Sequence, residues 1–127
     1  GECQVSSTLF SAILYTDLDV LERANHSMPV HYVPSGMDAT VFWDSPDFKF
    51  ENNHKYPVKI VMNMDSSDTL TVKILEKKKN DYTIEPRVEQ IDEMSNVTYR
   101  DYKDASGNVV KSESVCASKY KPLNSGS

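Results

Sequence analysis

Alternation of apolar and polar residues in the middle of the chain is the feature that most constrains its fold. Apolar side chains recur at every second position from 58 to 64 and again from 70 to 74. A period of two is that of a β-strand with one buried face. The run Asp-Ser-Ser-Asp at 65–68 between them is typical of a turn. The pattern therefore predicts a β-hairpin, which joins antiparallel strands.

One segment near the start of the chain has a helical period instead. Apolar residues at 5, 9, 12 and 13, widened by those at 10 and 14, form a broad stripe on a helix that spans 5–15. The remaining segments before residue 60 favour extended structure. They are predicted to form a strand within 17–23, an extended segment at 31–33, a turn at 34–36, strands at 39–43 and 47–51, and a turn at 52–55.

The second half of the chain is more polar. The charged run Lys-Lys-Lys-Asn at 77–80 marks a boundary, and a strand is expected at 82–84, before Pro86. Residues 97–102 and 109–115 predict a second, long hairpin around a turn at 104–108, which packs through one face or extends from the body. The fold class is α+β: one N-terminal amphipathic helix packed on antiparallel strands, followed by a long β-hairpin extension. The expected units are residues 1–80 and 81–127, with loose order from 121 onward.

Charge and hydropathy exclude several classes of function. The chain has 127 residues, a net charge of -5 and an isoelectric point near 5.1. Because phosphate binding requires a basic stripe, nucleic acid is not an expected partner. No apolar run approaches the roughly 18 residues that cross a bilayer, and no signal peptide is present. Any membrane attachment is therefore expected through a segment that this chain lacks.

Cys3 stands where a nucleophile would be placed. A thiol at a helix N-terminus is favoured as the thiolate by unpaired N–H groups and by the helix dipole. A nucleophilic cysteine also needs a base and a group that orients it. His26 is the best candidate base, ahead of His31 and His54, and Asp38 and Asp44 are the candidate orienting carboxylates. The structural alternatives are a small buried cysteine, a loop histidine that forms hydrogen bonds, and an aspartate that fixes a turn.

Other chemistry finds little support in the sequence. Cys3, His26 and His31 could supply three metal ligands, but their spacing matches no compact zinc pattern, so no metal site is predicted. The four glycines are scattered and form no phosphate loop, so no cofactor is predicted. Cys3 and Cys116 lie at opposite ends of the chain, and a disulfide between them is left open.

Several exact runs in the first half of the chain resemble the VanW family. They are Gly-Glu-Cys-Gln-Val-Ser-Ser-Thr-Leu-Phe at 1–10, His-Ser-Met-Pro-Val at 26–30, Tyr-Val-Pro-Ser-Gly at 32–36, Asp-Ala-Thr-Val at 38–41 and Asp-Phe-Lys-Phe-Glu-Asn-Asn at 47–53. The residues of interest that fit the family pattern are Cys3, Gln4, Ser6, Ser7, His26, Ser27 and Asp38. His31 stands where the family more often has a small polar residue.

The resemblance implies an extracytoplasmic or membrane-tethered protein of mostly Gram-positive bacteria, named for a link to vancomycin resistance. It also implies the C-terminal part of a longer protein, because further glycines usually precede the cysteine run in the family. Residues 97–123 look like the tail of VanW proteins and are distantly similar to G5 modules, which supports a cell-envelope setting.

Two functions follow from these observations. The first is a non-catalytic module that binds peptidoglycan, a glycopeptide or an envelope protein, for which Gln4, Ser6, Ser7 and Ser27 are candidate ligand-binding residues. The alternative is a cysteine-dependent acyl-transfer or amide-cleaving enzyme that acts on cell-wall peptides through Cys3, His26 and Asp38. The order of cysteine, helix and strands is that of transglutaminase-like and papain-like enzymes, but fold analogy does not carry function. The oligomeric state is not predicted.

Overall fold

A computed structural model describes residues 2–41, 48–76 and 81–122. Its elements are one helix and seven strands: α1 (Glu2–Ile13), β1 (Asp19–Glu22), β2 (Lys49–Glu51), β3 (Val58–Met64), β4 (Leu70–Glu76), β5 (Thr83–Gln90), β6 (Ser95–Lys103) and β7 (Val109–Lys119). All strand pairs are antiparallel, in three sheets ordered β1-β2, β3-β4 and β5-β6-β7. The α+β class is therefore confirmed. None of the described helices is both long enough and apolar enough to cross a bilayer.

The predicted helix is present and its apolar stripe forms the core. Phe10 and Leu14 are fully buried with Ala39, and partly buried side chains pack around them from β1, from β7, from Phe48 just before β2 and from Met37. Phe48 meets Phe10 edge to face at 5.3 Å between ring centroids. The core thus joins the helix to strands from both halves of the chain.

Both predicted hairpins are confirmed. In the first, β3 and β4 pair in continuous register from Val58–Glu76 to Met64–Leu70. The turn at 65–68 is fixed by the Asp65 side chain, which accepts hydrogen bonds from the backbone N–H groups of Ser67 and Thr69. In the second, Asp104 fixes the turn between β6 and β7 in the same way, through Ser106 and Asn108. The predicted strand within 17–23 is present as β1.

The predicted strand at 39–43 is wrong in the part that the structure describes, residues 39–41. Side chains and irregular segments take the hydrogen bonds that a neighbouring strand would otherwise supply. The Ala39 N–H donates to Ser7 Oγ, the Ala39 carbonyl accepts from Ser6 and Ser7, and Thr40 N–H donates to the Ala24 carbonyl. Phe42, Trp43, the candidate Asp44, and the charged run 77–80 lie outside the described residues.

The strand expected to end before Pro86 instead continues through it as β5. Proline lacks the N–H that a central strand needs, so it is tolerated only at a sheet edge or a bulge. β5 is an edge strand with β6 as its one neighbour in this sheet, so Pro86 can stand opposite Arg100 without breaking two ladders.

One face of β6 packs against the first half of the chain. Asn96, Thr98, Arg100 and Tyr102 alternate along the strand and are all buried. Thr98 donates a hydrogen bond to the Gly36 carbonyl at 2.7 Å, and the Arg100 guanidinium donates to the carbonyls of Thr16 and Leu18 at 2.6 and 2.8 Å. For the hairpin of β6 and β7, the sequence left open whether it packs through one face or extends from the body, and this face of β6 is packed. The division at residue 80 stays a prediction, and these contacts cross it.

Candidate functional site

A buried carboxylate, Asp38, is the centre of the polar site that the sequence singled out. Its side chain is 1% exposed. The carboxylate accepts hydrogen bonds from the backbone N–H and the ring Nδ1 of His26, both at 2.7 Å, and from the hydroxyl of Tyr120. Arg23 adds an ion pair at 3.3 Å and also donates from Nε to the Asp38 carbonyl at 2.7 Å. We call these four residues, Arg23, His26, Asp38 and Tyr120, the Asp38 cluster.

The donors around Asp38 decide its charge. Burial by itself would raise the pKa of this carboxyl, but donation from the His26 backbone, from Tyr120 and from the His26 ring, together with the charge of Arg23, lowers the pKa overall. The group is therefore ionised at neutral pH and only accepts hydrogen bonds. The proton of a neutral His26 consequently lies on Nδ1, and Nε2 is the acceptor.

The free nitrogen of His26 faces Tyr32. The Tyr32 hydroxyl lies 3.3 Å from Nε2 and is placed to donate to it. Burial is the main reason that the pKa of Tyr32 is raised; a hydrogen bond with Ser7 opposes this shift, and the charge of Asp38 adds to it.

Cys3 lies in the first turn of α1, as the sequence predicts, and is partly buried. Its thiol donates to the Val41 carbonyl at 3.7 Å. Among the described residues, no hydrogen bond joins the thiol to either ring nitrogen of His26. The structure thus pairs two members of the predicted triad, His26 and Asp38, while the thiol of the third is hydrogen-bonded to Val41.

The candidate ligand-binding residues fall into two groups. Ser6 and Ser7 are buried and hold residue 39 against the helix, with Ser6 donating at 2.7 Å and Ser7 at 3.0 Å to its carbonyl. Gln4 is half-buried, and Ser27 is exposed. Only the second pair has side chains that reach the surface. Cys3 and Cys116 are both free thiols, so the structure has no disulfide between them.

The other two histidines lie apart from the Asp38 cluster in different settings. His31 is exposed and meets Tyr32 edge to face at 5.5 Å between ring centroids. His54 places its Nε2 2.5 Å from Asp17 Oδ1, and Glu76 completes a group whose three ligand atoms lie within 4.8 Å of one another. The prediction of no metal site overlooked this group, because its members are 22 or more residues apart and follow no local pattern.

Sequence reasoning also missed Arg23, Tyr32 and Tyr120. Arg23 follows directly after the short strand β1, in a segment whose pattern is ambiguous, and its side chain is 1% exposed and also donates to Ser118 Oγ at 2.6 Å. Tyr120 is separated from Asp38 by 82 positions. No signal in one sequence links positions as distant as Tyr120 and Asp38, so only the fold brings this pair together.

Comparison with known proteins places the chain in a family. The family model described as VanW like protein matches residues 1–75. The chain belongs to the VanW family. It is also 50% identical over 60 residues to the uncharacterized protein YoaR of Bacillus subtilis (strain 168), and this match covers 47% of the chain and 20% of that relative. No solved structure matches the chain. The G5-like tail stays a prediction.

Proposed function

We propose that this VanW-family chain is an extracytoplasmic envelope module that binds peptidoglycan through the surface around Tyr32. The family resemblance supports the setting, and the geometry around the Asp38 cluster supports the binding surface. Because the family is named for a link to vancomycin resistance, the proposal includes a contribution of this chain to glycopeptide resistance.

A series of three rings carries the proposal. Tyr32 meets both His26, at 6.3 Å between ring centroids, and His31, at 5.5 Å, edge to face. Tyrosine and histidine combine an apolar ring with a polar tip, so they can pack on a ligand and form hydrogen bonds with it. Asp38 holds the His26 ring through a hydrogen bond to Nδ1, which reduces the entropy lost on binding. Ser27, exposed beside His26, adds a hydroxyl.

Co-sedimentation with purified peptidoglycan sacculi tests this proposal. We expect the 127-residue chain to bind and Tyr32→Ala to weaken binding about fivefold or more, as the loss of a central aromatic contact does. Tyr56→Ala is the matched control, because Tyr56 is exposed and outside the ring series. His31→Ala, which removes an exposed ring of the same series, replaces Tyr32→Ala in this test if circular dichroism shows that Tyr32→Ala disturbs folding.

Two results would overturn the proposal. One is that the unaltered chain stays in the supernatant. The other is that folded Tyr32→Ala and His31→Ala proteins bind as well as Tyr56→Ala. If the chain does not bind sacculi but binds vancomycin in a calorimetric titration, the ligand of this surface is instead a glycopeptide.

A cysteine-dependent acyl-transfer enzyme is the second candidate, and the orientation of His26 favours it. With Nδ1 donating to Asp38, Nε2 is the basic nitrogen, as a cysteine–histidine mechanism requires. In such a step, Cys3 Sγ would bond to the carbonyl carbon of a peptide amide while its proton passes to Nε2. His26 would return that proton to the leaving amine as the C–N bond breaks, and water or another amine would release the acyl group from sulfur.

Alkylation kinetics distinguish this candidate from the binding module. Cys116 is an internal reference, because burial raises the pKa of its thiol. The enzyme requires that iodoacetamide label Cys3 at pH 6 much faster than Cys116, and that His26→Ala remove this advantage. Equal slow labelling of both thiols, or fast labelling of Cys3 that is unchanged by His26→Ala, would contradict it.

A further inference from the structure

A second cluster, Asp17, His54 and Glu76, lies apart from the proposed binding surface and is not used by it. The three residues come from three segments: the turn after α1, the loop between β2 and β3, and the end of β4. Each supplies one potential ligand atom, and the three atoms lie within 4.8 Å of one another. We propose that this Asp17–His54–Glu76 cluster is a binding site for a divalent transition-metal ion of the Zn²⁺ class.

Within the described part of the chain, a missing hydrogen bond at Glu76 is the observation that points to a ligand. Its Oε1 atom is buried and accepts no hydrogen bond from the described residues. A buried carboxylate oxygen without a donor is costly, and a cation would supply the missing interaction. His54 and Asp17 already approach each other at 2.5 Å, so the cluster has two carboxylates for one histidine and an excess of negative charge.

The backbone on each side of the cluster is fixed. Asp17 lies between Thr16 and Leu18, whose carbonyls both accept hydrogen bonds from the buried Arg100 guanidinium. The His54 N–H donates to Asn52 Oδ1 at 3.0 Å, and Glu76 pairs with Val58 in the ladder of the first hairpin. Ligands held by such contacts lose little freedom when an ion binds.

The donor set selects the class of ion. One imidazole nitrogen and two carboxylates suit Zn²⁺ and related transition metals, whereas Ca²⁺ takes six to eight oxygen ligands. Zn²⁺ holds nitrogen and oxygen ligands at about 2.0–2.2 Å, so His54 and Asp17 need to separate only slightly to share an ion. Their side chains are 24% and 28% exposed, which gives the ion a path and leaves a coordination position for water.

Calorimetric titration of the 127-residue chain with ZnCl₂ tests the site. We expect one equivalent to bind, and Glu76→Gln to weaken binding at least about tenfold, since even outer-shell changes around bound metals have effects of this size. Glu51→Gln controls for the loss of one carboxylate elsewhere on the surface. His31→Ala controls for adventitious binding by an exposed imidazole.

Folding and specificity are measured in parallel. Zn²⁺ is expected to raise the thermal midpoint of the unaltered chain and of both controls, and to raise that of Glu76→Gln and Asp17→Asn by clearly less at the same concentration. Loss of the Zn²⁺ response in His31→Ala alone would overturn the proposal. So would the absence of Zn²⁺ binding, or Ca²⁺ binding as tight as that of Zn²⁺. Sacculus binding does not depend on these residues, so the two proposals fail independently.

Discussion

Two histidine–aspartate pairs in this chain differ in how completely the aspartate and its neighbours are hydrogen-bonded. In the Asp38 cluster, a fully buried carboxylate accepts from two side chains and a backbone N–H and also pairs with Arg23. In the Asp17–His54–Glu76 cluster, the pair is partly exposed and the neighbouring Glu76 has an oxygen without a donor. The first arrangement is complete within the protein. The second is completed by a ligand.

The pKa shifts of Asp38 and Glu76 have opposite signs because the groups around the two carboxylates differ. Burial disfavours the ionised form of each. At Asp38 the donors and Arg23 outweigh burial, so the pKa is lowered. At Glu76 burial is reinforced by the charge of Asp17 and only partly opposed by His54, so the pKa is raised. A buried carboxylate thus stabilises the fold only where donors surround it.

The largest expected effect is the loss of stability on replacing Asp38, compared with that on replacing Asp17. Asp38→Ala should lower the free energy of unfolding by about 3–5 kcal/mol, because it leaves the buried guanidinium of Arg23 without its counter-charge. Asp17→Ala should lower it by no more than about 1 kcal/mol, because its partner is partly exposed. Urea unfolding at pH 7 without added metal measures both. Equal losses would show that the two clusters do not differ in the way described.

An intermediate effect is expected at Gly36, whose N–H donates to the Tyr120 hydroxyl of the Asp38 cluster. A Cβ there would lie 2.8 Å from Asn96 Oδ1 and 2.9 Å from Thr98 Oγ1, and φ is +92°. Gly36→Ala therefore adds a clash to backbone strain, and we expect a loss of about 2–4 kcal/mol.

Gly107→Ala is the matched control for that substitution. Gly107 also has a positive φ, +85°, but a Cβ there would meet nothing within 4 Å. Strain alone should cost about 1 kcal/mol. Chemical denaturation of the two variants in parallel separates the contributions, and a loss for Gly107→Ala as large as that for Gly36→Ala would remove the role assigned to packing.

The smallest expected effect is the pH dependence of stability. Asp38 has a lowered pKa, so its contribution is present above the unfolded pKa near 3.8 and is lost as pH falls below it. Glu76 has a raised pKa, so it binds a proton more tightly in the folded state and destabilises the fold as pH rises above about 4.5.

Glu76→Gln should therefore stabilise the metal-free protein at pH 7 and have little effect below pH 4. Thermal melts of this variant and of the unaltered chain, both with a chelator across pH 3.5 to 7.5, measure the difference. A difference of the opposite sign at pH 7, or one that does not change with pH, would contradict the environment described for Glu76.

Local patterns predicted the elements well where the periodicity was strong. The helix over 5–15 and the two hairpins required only the alternation of side chains and the turn residues Asp65 and Asp104. The patterns failed where tertiary contacts replaced a ladder. Residues 39–41 have the composition of a strand, but Ser7 and Ala24 take their hydrogen bonds. Pro86 was predicted to end a strand, and its position at a sheet edge allowed the strand to continue.

The candidate site was predicted in part. The sequence predicts His26 as the base and Asp38 or Asp44 as the carboxylate that orients it, and the structure joins His26 to Asp38 at 2.7 Å. Their roles in catalysis or binding stay predictions. Tyr120 and Arg23 were not identified: the contact of Tyr120 with Asp38 spans 82 positions, and the pairing of Arg23 with Asp38 over 15 positions follows no local pattern.

The sequence by itself determined the family and the kinds of element, because exact short runs and the periods of helices and strands are local properties. It also determined that Cys3 lies at the N-terminus of the helix. Only the tertiary structure decided which polar groups are satisfied within the protein. Hydrogen-bond saturation depends on groups that meet from distant positions: Tyr120 reaches Asp38, whereas no described donor reaches Glu76 Oε1. That difference separates a carboxylate that stabilises the fold from one placed to bind an ion.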